Sequence, residues 1–124
     1  MNALSRDKNA RGAWAEEIAL RYLVKQGLSE VTRNYHCRYG EIDLILSDGD
    51  TVVFTEVRYR AKGAMVNALE SISPAKQRRL LASAEHYLQR SNNNNDRNCR
   101  FDVIAMSGDE EQPTVQWIRN AIEA

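Results

Sequence analysis

The chain has 124 residues, with 17 basic and 17 acidic side chains, a net charge of zero and an apolar fraction of 43%. That size fits one domain around one core, and the balance of charged and apolar residues is ordinary for a soluble globular protein. The apolar runs are too short to cross a bilayer, and the N-terminal "MNALSRDKNARG" has no hydrophobic stretch of the secretory kind.

Residues 1–8 read as a flexible tail, ahead of a single domain over 9–124. From Asn9 to Gln26 the pattern is helical. Ala15, Ile18, Ala19, Tyr22 and Leu23 recur at steps of three and four and make one apolar stripe. Gly27 is placed to end that helix. A strand is expected around Ser29 to Tyr35. A hairpin follows in "GEIDLILSDGDTVVFTEVRYR", with Asp48-Gly49 as its turn. The stretch "RAKGAMVNALESIS" reads as irregular. Ser73-Pro74 marks a helix start, a cap followed by proline in the first turn, and the helix is expected to run to about Arg90. "SNNNNDRN" is a polar, low-complexity loop. "CRFDVIAM" and "TVQWI" read as two last strands. The order α-β-β-β-α-β-β implies a mixed sheet with helices packed on it, an α/β fold.

Cys37 and Cys99 match no metal-ligand spacing. They are expected to be small buried packing residues with reduced thiols, in a cytoplasmic protein. Charge is unevenly spread. From Arg58 to Arg90 there are seven cations and two anions, against ten and fifteen in the remainder. One basic segment permits a polyanionic partner without requiring one.

The hairpin carries the informative pattern. Side chains alternate along a strand. A two-residue turn at Asp48-Gly49 pairs Ile45 with Val52, Asp43 with Phe54 and Glu41 with Glu56. Glu41, Asp43, Glu56 and Arg58 then share one face with Ile45, Val52 and Phe54. Ile42, Leu44, Leu46, Val53, Val57 and Tyr59 share the other. Both faces are largely apolar, so the hairpin belongs inside the sheet. Asp43 and Glu56 become diagonal neighbours, roughly 7–8 Å apart at the backbone. Two readings stand at this point. The carboxylates hold a divalent cation, for which Mg²⁺ is the best match, with Arg58 facing a developing negative charge. Alternatively Arg58 simply pairs with Glu56 or Asp43, and Glu41 ends a strand in solvent.

On the first helix, Glu17 has Arg21 four residues on, an ordinary exposed pair. Glu16 lies at the border of the stripe with no cation at helical spacing. It is either a surface residue or aimed at something distant in sequence. On the second helix Leu81, Ala84 and Leu88 are expected to face inward. Gln77 lies on that stripe, as a satisfied core amide or as a residue reaching the hairpin carboxylates.

"GEIDLI", "VVFTEVRYR", "KQRRL" and "CRFDVIA", in that order, resemble the YraN-type family of small uncharacterised bacterial proteins, over about Gly12 to Trp117. That family is similar in turn to the PD-(D/E)xK nucleases, the restriction-endonuclease-like superfamily that includes Holliday-junction resolvases. The resemblance implies a restriction-endonuclease-like mixed sheet flanked by helices. It implies metal ligation by Asp43, Glu56 and Glu16, with Mg²⁺ or Mn²⁺ as cofactor. It places Arg58 where the superfamily has lysine, and Gln77 near the centre. Arginine keeps the charge but cannot act as a general base, so Lys62 or Lys76 becomes a candidate substitute. Ala15 stands where the family usually has glycine. The implied function is a metal-dependent DNA endonuclease, or a nuclease specific for branched DNA. Arg60, Lys62, Lys76, Arg78 and Arg79 would grip the sugar-phosphate backbone, and a homodimer is implied. The alternative is the same fold with a lapsed active site, kept as a nucleic-acid-binding or protein-interaction module.

Overall fold

In the computed structural model, residues 8–60, 72–91 and 98–122 are described. Helix α1 spans Lys8–Lys25, strands β1 Ser29–Cys37, β2 Gly40–Asp48 and β3 Thr51–Arg60, helix α2 Pro74–Arg90, and strands β4 Cys99–Ser107 and β5 Thr114–Ile122. The element order is the expected one. Lys8, expected as the last residue of the tail, begins α1; the reading of the rest of the 1–8 tail, of 61–71 as irregular and of 92–97 as a polar loop falls outside the described residues.

The five strands lie side by side in sequence order. β1–β2, β2–β3 and β4–β5 are antiparallel, while β3–β4 is parallel, with α2 in the connection between them. The hairpin strands β2 and β3 are therefore interior, as their two apolar faces require.

Each helix covers one face of the sheet. Ala15, Ala19, Leu20 and Leu23 of α1 pack with Leu44, Leu46, Val53, Ile104 and Met106. Leu80 and Ala84 of α2 pack on the opposite side with Ile45, Val52, Phe54, Phe101 and Val103. The inward face of α2 is rotated slightly from expectation. Leu80, Ser83 and Ala84 are its buried residues, while Leu81 and Leu88 flank them half-buried. Periodicity alone could not separate Leu80 from Leu81, because adjacent residues differ by only 100°.

Both helices end as their sequences direct. Gly27, at φ 106°, closes α1. Its N–H donates to the Val24 carbonyl and that of Leu28 to the Leu23 carbonyl, so the buried Leu28 folds back on the helix end. Ser73 caps α2, its Oγ accepting from the Lys76 N–H at 3.1 Å, with Pro74 in the first turn. That bond also fixes the backbone of Lys76.

The turn is displaced from expectation. Asp48 pairs with Thr51, Ser47 with Val52 and Ile45 with Phe54, so the two-residue loop is Gly49-Asp50. Gly49 takes φ 60° at the first loop position, which suits glycine in a hairpin turn. Moving the centre by one residue shifts every pair by two. An even shift keeps each side chain on its face, so most of the expected sharing survives. Ile42 is the exception. It packs in the α2-side cluster although Leu44, two residues on, lies in the α1-side cluster. Between their partners on β1 sits Asn34, at φ 55°. A left-handed residue there breaks the pleat locally.

Cys37 is half-buried but Cys99 is exposed, at the first position of β4, so only one cysteine approaches the expected packing role. No described helix is long and apolar enough to cross a membrane.

Candidate metal centre

The pairing of β2 with β3 runs from Asp48↔Thr51 to Leu44↔Thr55. Asp43 and Glu56 are the next residue on each strand, just past the last pair. Here a side chain enters the ladder, the Val57 N–H donating to Asp43 Oδ2 at 2.9 Å. At this end of the hairpin, residues from both faces of the sheet meet.

From α1 comes Glu16. One carboxylate oxygen each of Glu16, Glu41 and Asp43 lies within 4.8 Å of the others. With its nitrogen turned toward them, the Asn34 amide donates to Glu16 Oε1 at 3.0 Å and to Glu41 Oε2 at 2.9 Å. His36 Nε2 is 3.8 Å from Glu41 Oε2. From β3 comes Glu56, only 5% exposed. Its Oε2 faces Lys76 Nζ at 3.4 Å and Arg58 Nη1 at 3.6 Å. Its Oε1 is buried with no partner.

The electrostatics follow from crowding and burial. Desolvation, then the nearby Asp43 and Glu41 carboxylates, push Glu16 up to about 7. Desolvation, then Asp43, push Glu56 up to about 7 against the pull of Lys76 and Arg58. Burial also raises Asp43, although the Val57 N–H favours its charged form. Crowding and burial thus favour the protonated forms of Glu16 and Glu56 well above the usual carboxylate range. Asp43 lies within hydrogen-bonding reach of both Glu16 and Glu56.

The donor set fits a hard divalent cation. It is made only of oxygens, which suit Mg²⁺ or Mn²⁺ over softer metals. The crowding is a second sign, since Glu56 is buried beside Asp43 and a cation between them offsets their repulsion.

The sites expected from the sequence are distributed as follows. Glu16, Asp43, Glu56 and Arg58 come together. Lys76 joins them at the carboxylates, where the sequence suggested either a backbone grip or a substitute for the missing lysine. Gln77 donates from Nε2 to the Ile72 carbonyl at 3.0 Å, which ties the helix start to the preceding chain in the manner of a satisfied amide. Arg60 ends β3 and donates to the Tyr59 carbonyl. Arg78 and Arg79 are exposed on α2. Lys62 falls outside the described residues. Glu17 pairs with Arg21 at 3.0 Å as expected, and also with Arg33 at 2.8 Å. Two participants were missed. Glu41 was read as a possible solvated strand end, although its two-residue spacing from Asp43 was a usable signal. Asn34 had no signal beyond being a residue type that tolerates positive φ.

The family model for the uncharacterised protein family UPF0102 matches residues 15–106. This chain belongs to that family. A UPF0102 protein of Nitrosococcus oceani is 49% identical over 119 residues, covering 96% of this chain and 94% of the relative. One of Alcanivorax borkumensis is 50% identical over 119 residues, covering 95% of each. One of Coxiella burnetii is 46% identical over 109 residues, covering 88% of each. The UPF0102 match contains Glu16, Asn34, Glu41, Asp43, Glu56, Arg58 and Lys76, and it ends before β5.

Proposed function

We propose that this protein is a metal-dependent endonuclease that hydrolyses phosphodiester bonds in DNA, with branched DNA as its preferred substrate. The observation that supports this reading is the junction of two opposite sets of charges at one place. Acidic oxygens of Glu16, Glu41, Asp43 and Glu56 crowd together, and Arg58 and Lys76 border them.

Asp43 and Glu56 would hold Mg²⁺ or Mn²⁺, with Glu16 and Glu41 completing or orienting the set. Such an ion supplies acidification of water and neutralisation of phosphoryl charge. The chain's own groups do the remainder. Asn34 fixes the Glu16 and Glu41 carboxylates. Arg58 stabilises the charge that grows on the phosphate as it becomes pentacovalent. Arginine stays protonated at working pH, so it is not the base. Lys76, whose ammonium borders Glu56, orients the attacking water. Arg60, Arg78, Arg79 and Lys62 contact the backbone without reading bases. Two copies acting on one branched molecule follow from the family resemblance.

The test is incubation of purified protein with branched, supercoiled and single-stranded DNA in Mg²⁺ or Mn²⁺, beside an Asp43→Ala control. The expected result is metal-dependent cleavage that the variant lacks. A folded protein that leaves every substrate intact refutes the enzyme. One observation favours a second reading, a DNA-binding module that does not cut. Lys76 and Arg58 already face the same Glu56 oxygen and partly neutralise it. Salt-sensitive binding that ignores the metal, with no cleavage, selects this reading.

A further inference from the structure

Beside the carboxylates lies a second surface, the turn that joins β1 to β2. Arg38 and Tyr39 occupy it, and both are exposed. The Arg38 guanidinium carbon sits 5.0 Å from the Tyr39 ring centroid, and Nη2 donates to Tyr39 Oη at 2.8 Å. Among the described residues the other Phe, Tyr and Trp side chains are buried or half-buried, whereas Tyr39 is 38% exposed. An exposed ring under a guanidinium is a flat, cationic, partly apolar element.

This element is held in place from below. The Tyr39 ring meets His86 nearly edge-on, with centroids 6.0 Å apart. His86 Nδ1 is in turn 2.6 Å from Tyr35 Oη. The turn rests directly on α2, because a Cβ added at Gly40 would meet Ser83 Oγ at 3.5 Å and Arg79 Cβ at 3.6 Å. The platform is therefore anchored to a helix and is more than a loose loop tip.

Its place in the fold gives it meaning. Glu41 of the carboxylate group lies two residues after Tyr39, about 7 Å of extended chain. Arg79, beneath the turn, follows one helical turn after Lys76, whose ammonium faces Glu56. A cationic path thus runs from the centre to the ring. The acid on α2, Glu85, is bonded by Gln89.

We infer that Tyr39 and Arg38 form a stacking platform for an unpaired nucleobase of the DNA strand that enters the carboxylate centre; this rests on the nuclease reading above. A base already stacked in a duplex gains little from Tyr39. An unpaired base gains contact with the Arg38 guanidinium and the exposed part of the Tyr39 ring, and the adjoining phosphate gains Arg79. The platform thereby selects a strand that has left its helix, as at a branch, flap or gap.

The experiment places 2-aminopurine, whose fluorescence is quenched by stacking, in an unpaired flap next to a branch, and separately in an intact duplex. Binding is measured in EDTA, so that cleavage plays no part. Quenching is expected on binding to the flap and not to the duplex. Tyr39→Ala is expected to lose the quenching and to bind the flap roughly tenfold more weakly, while its affinity for duplex is unchanged. Tyr39→Phe is expected to keep both properties. If Tyr39→Ala quenches and binds like wild type, the platform is overturned and the nuclease reading stands. If wild type binds no flap in EDTA, the platform is overturned and the nuclease reading stands on its own test. Cleavage of the same flap by wild type in Mg²⁺, measured separately, reports on the nuclease reading alone.

Discussion

Lys76, in the first turn of α2, holds its ammonium 3.4 Å from Glu56 Oε2 on β3, while Glu56 Oε1 stays buried and unpartnered. The Glu56 carboxylate thus has two cations and a second carboxyl, Asp43, beside it. This relationship distinguishes a lysine that serves the centre from one that merely faces solvent.

Replacing Lys76 tests its role. Lys76→Met keeps the apolar stem and removes the ammonium. Single-turnover cleavage is expected to fall roughly 100-fold, with DNA affinity reduced only slightly. Lys76→Arg restores the charge but replaces a compact ammonium with a planar fork that does not fit its place, so it is expected to remain slow. A Lys76→Arg variant as fast as wild type shows that only the charge matters.

Asp43 sits within reach of both Glu16 and Glu56. Asp43→Asn removes one negative charge and keeps an oxygen to accept the Val57 N–H. Calorimetric titration of Mg²⁺ or Mn²⁺ is expected to show binding in wild type and none in the variant. In EDTA the variant is expected to be the more stable, by about 1 kcal/mol, as when a functional site gives up its internal strain. A lower melting temperature in EDTA contradicts this account.

Stability is expected to depend on pH through the same groups. Glu16 and Glu56 hold protons up to about 7 in the folded chain, against an ordinary 4.5. The fold therefore binds more protons than the unfolded chain between those values. The stabilisation is complete below the ordinary value and is lost as pH rises through about 7. In EDTA the melting temperature is expected to fall by several degrees between about pH 5 and about pH 8. Saturating Mg²⁺ flattens the slope, because the ion replaces the protons. Melting curves of Glu56→Gln in EDTA supply the check, since that variant loses the Glu56 share of the slope.

Away from the centre, Asp102 supports the far side of the sheet. It is buried and accepts from Arg100 Nε at 3.1 Å, Trp117 Nε1 at 2.9 Å and the Asn120 N–H at 2.9 Å. Asp102→Ala leaves Arg100 paired with Asp48 alone and strands two further donors, at a cost of about 2–4 kcal/mol. Urea unfolding measures the loss. Mg²⁺ binding by whatever fraction remains folded is expected to be unchanged, since Asp102 is not among the clustered carboxylates.

Local patterns were legible wherever the physics is local. The α1 stripe of Ala15, Ile18, Ala19, Tyr22 and Leu23 packs as its spacing requires. Gly27 and Ser73-Pro74 end and start helices because φ and capping are properties of a few adjacent residues. The hairpin turn was misplaced by one residue, yet Asp43 and Glu56 still came together. Strand alternation has period two, and the error was even.

What the sequence determined by itself is therefore the order of elements, the helix ends and the face carrying Asp43, Glu56 and Arg58. The tertiary structure alone decided the break in alternation at Ile42, the entry of Glu41 and Asn34, and the reach of Lys76 to Glu56. These depend on how two helices on opposite faces meet at one end of a hairpin. Spacing along a chain carries no information about that distance, because packing between remote elements sets it.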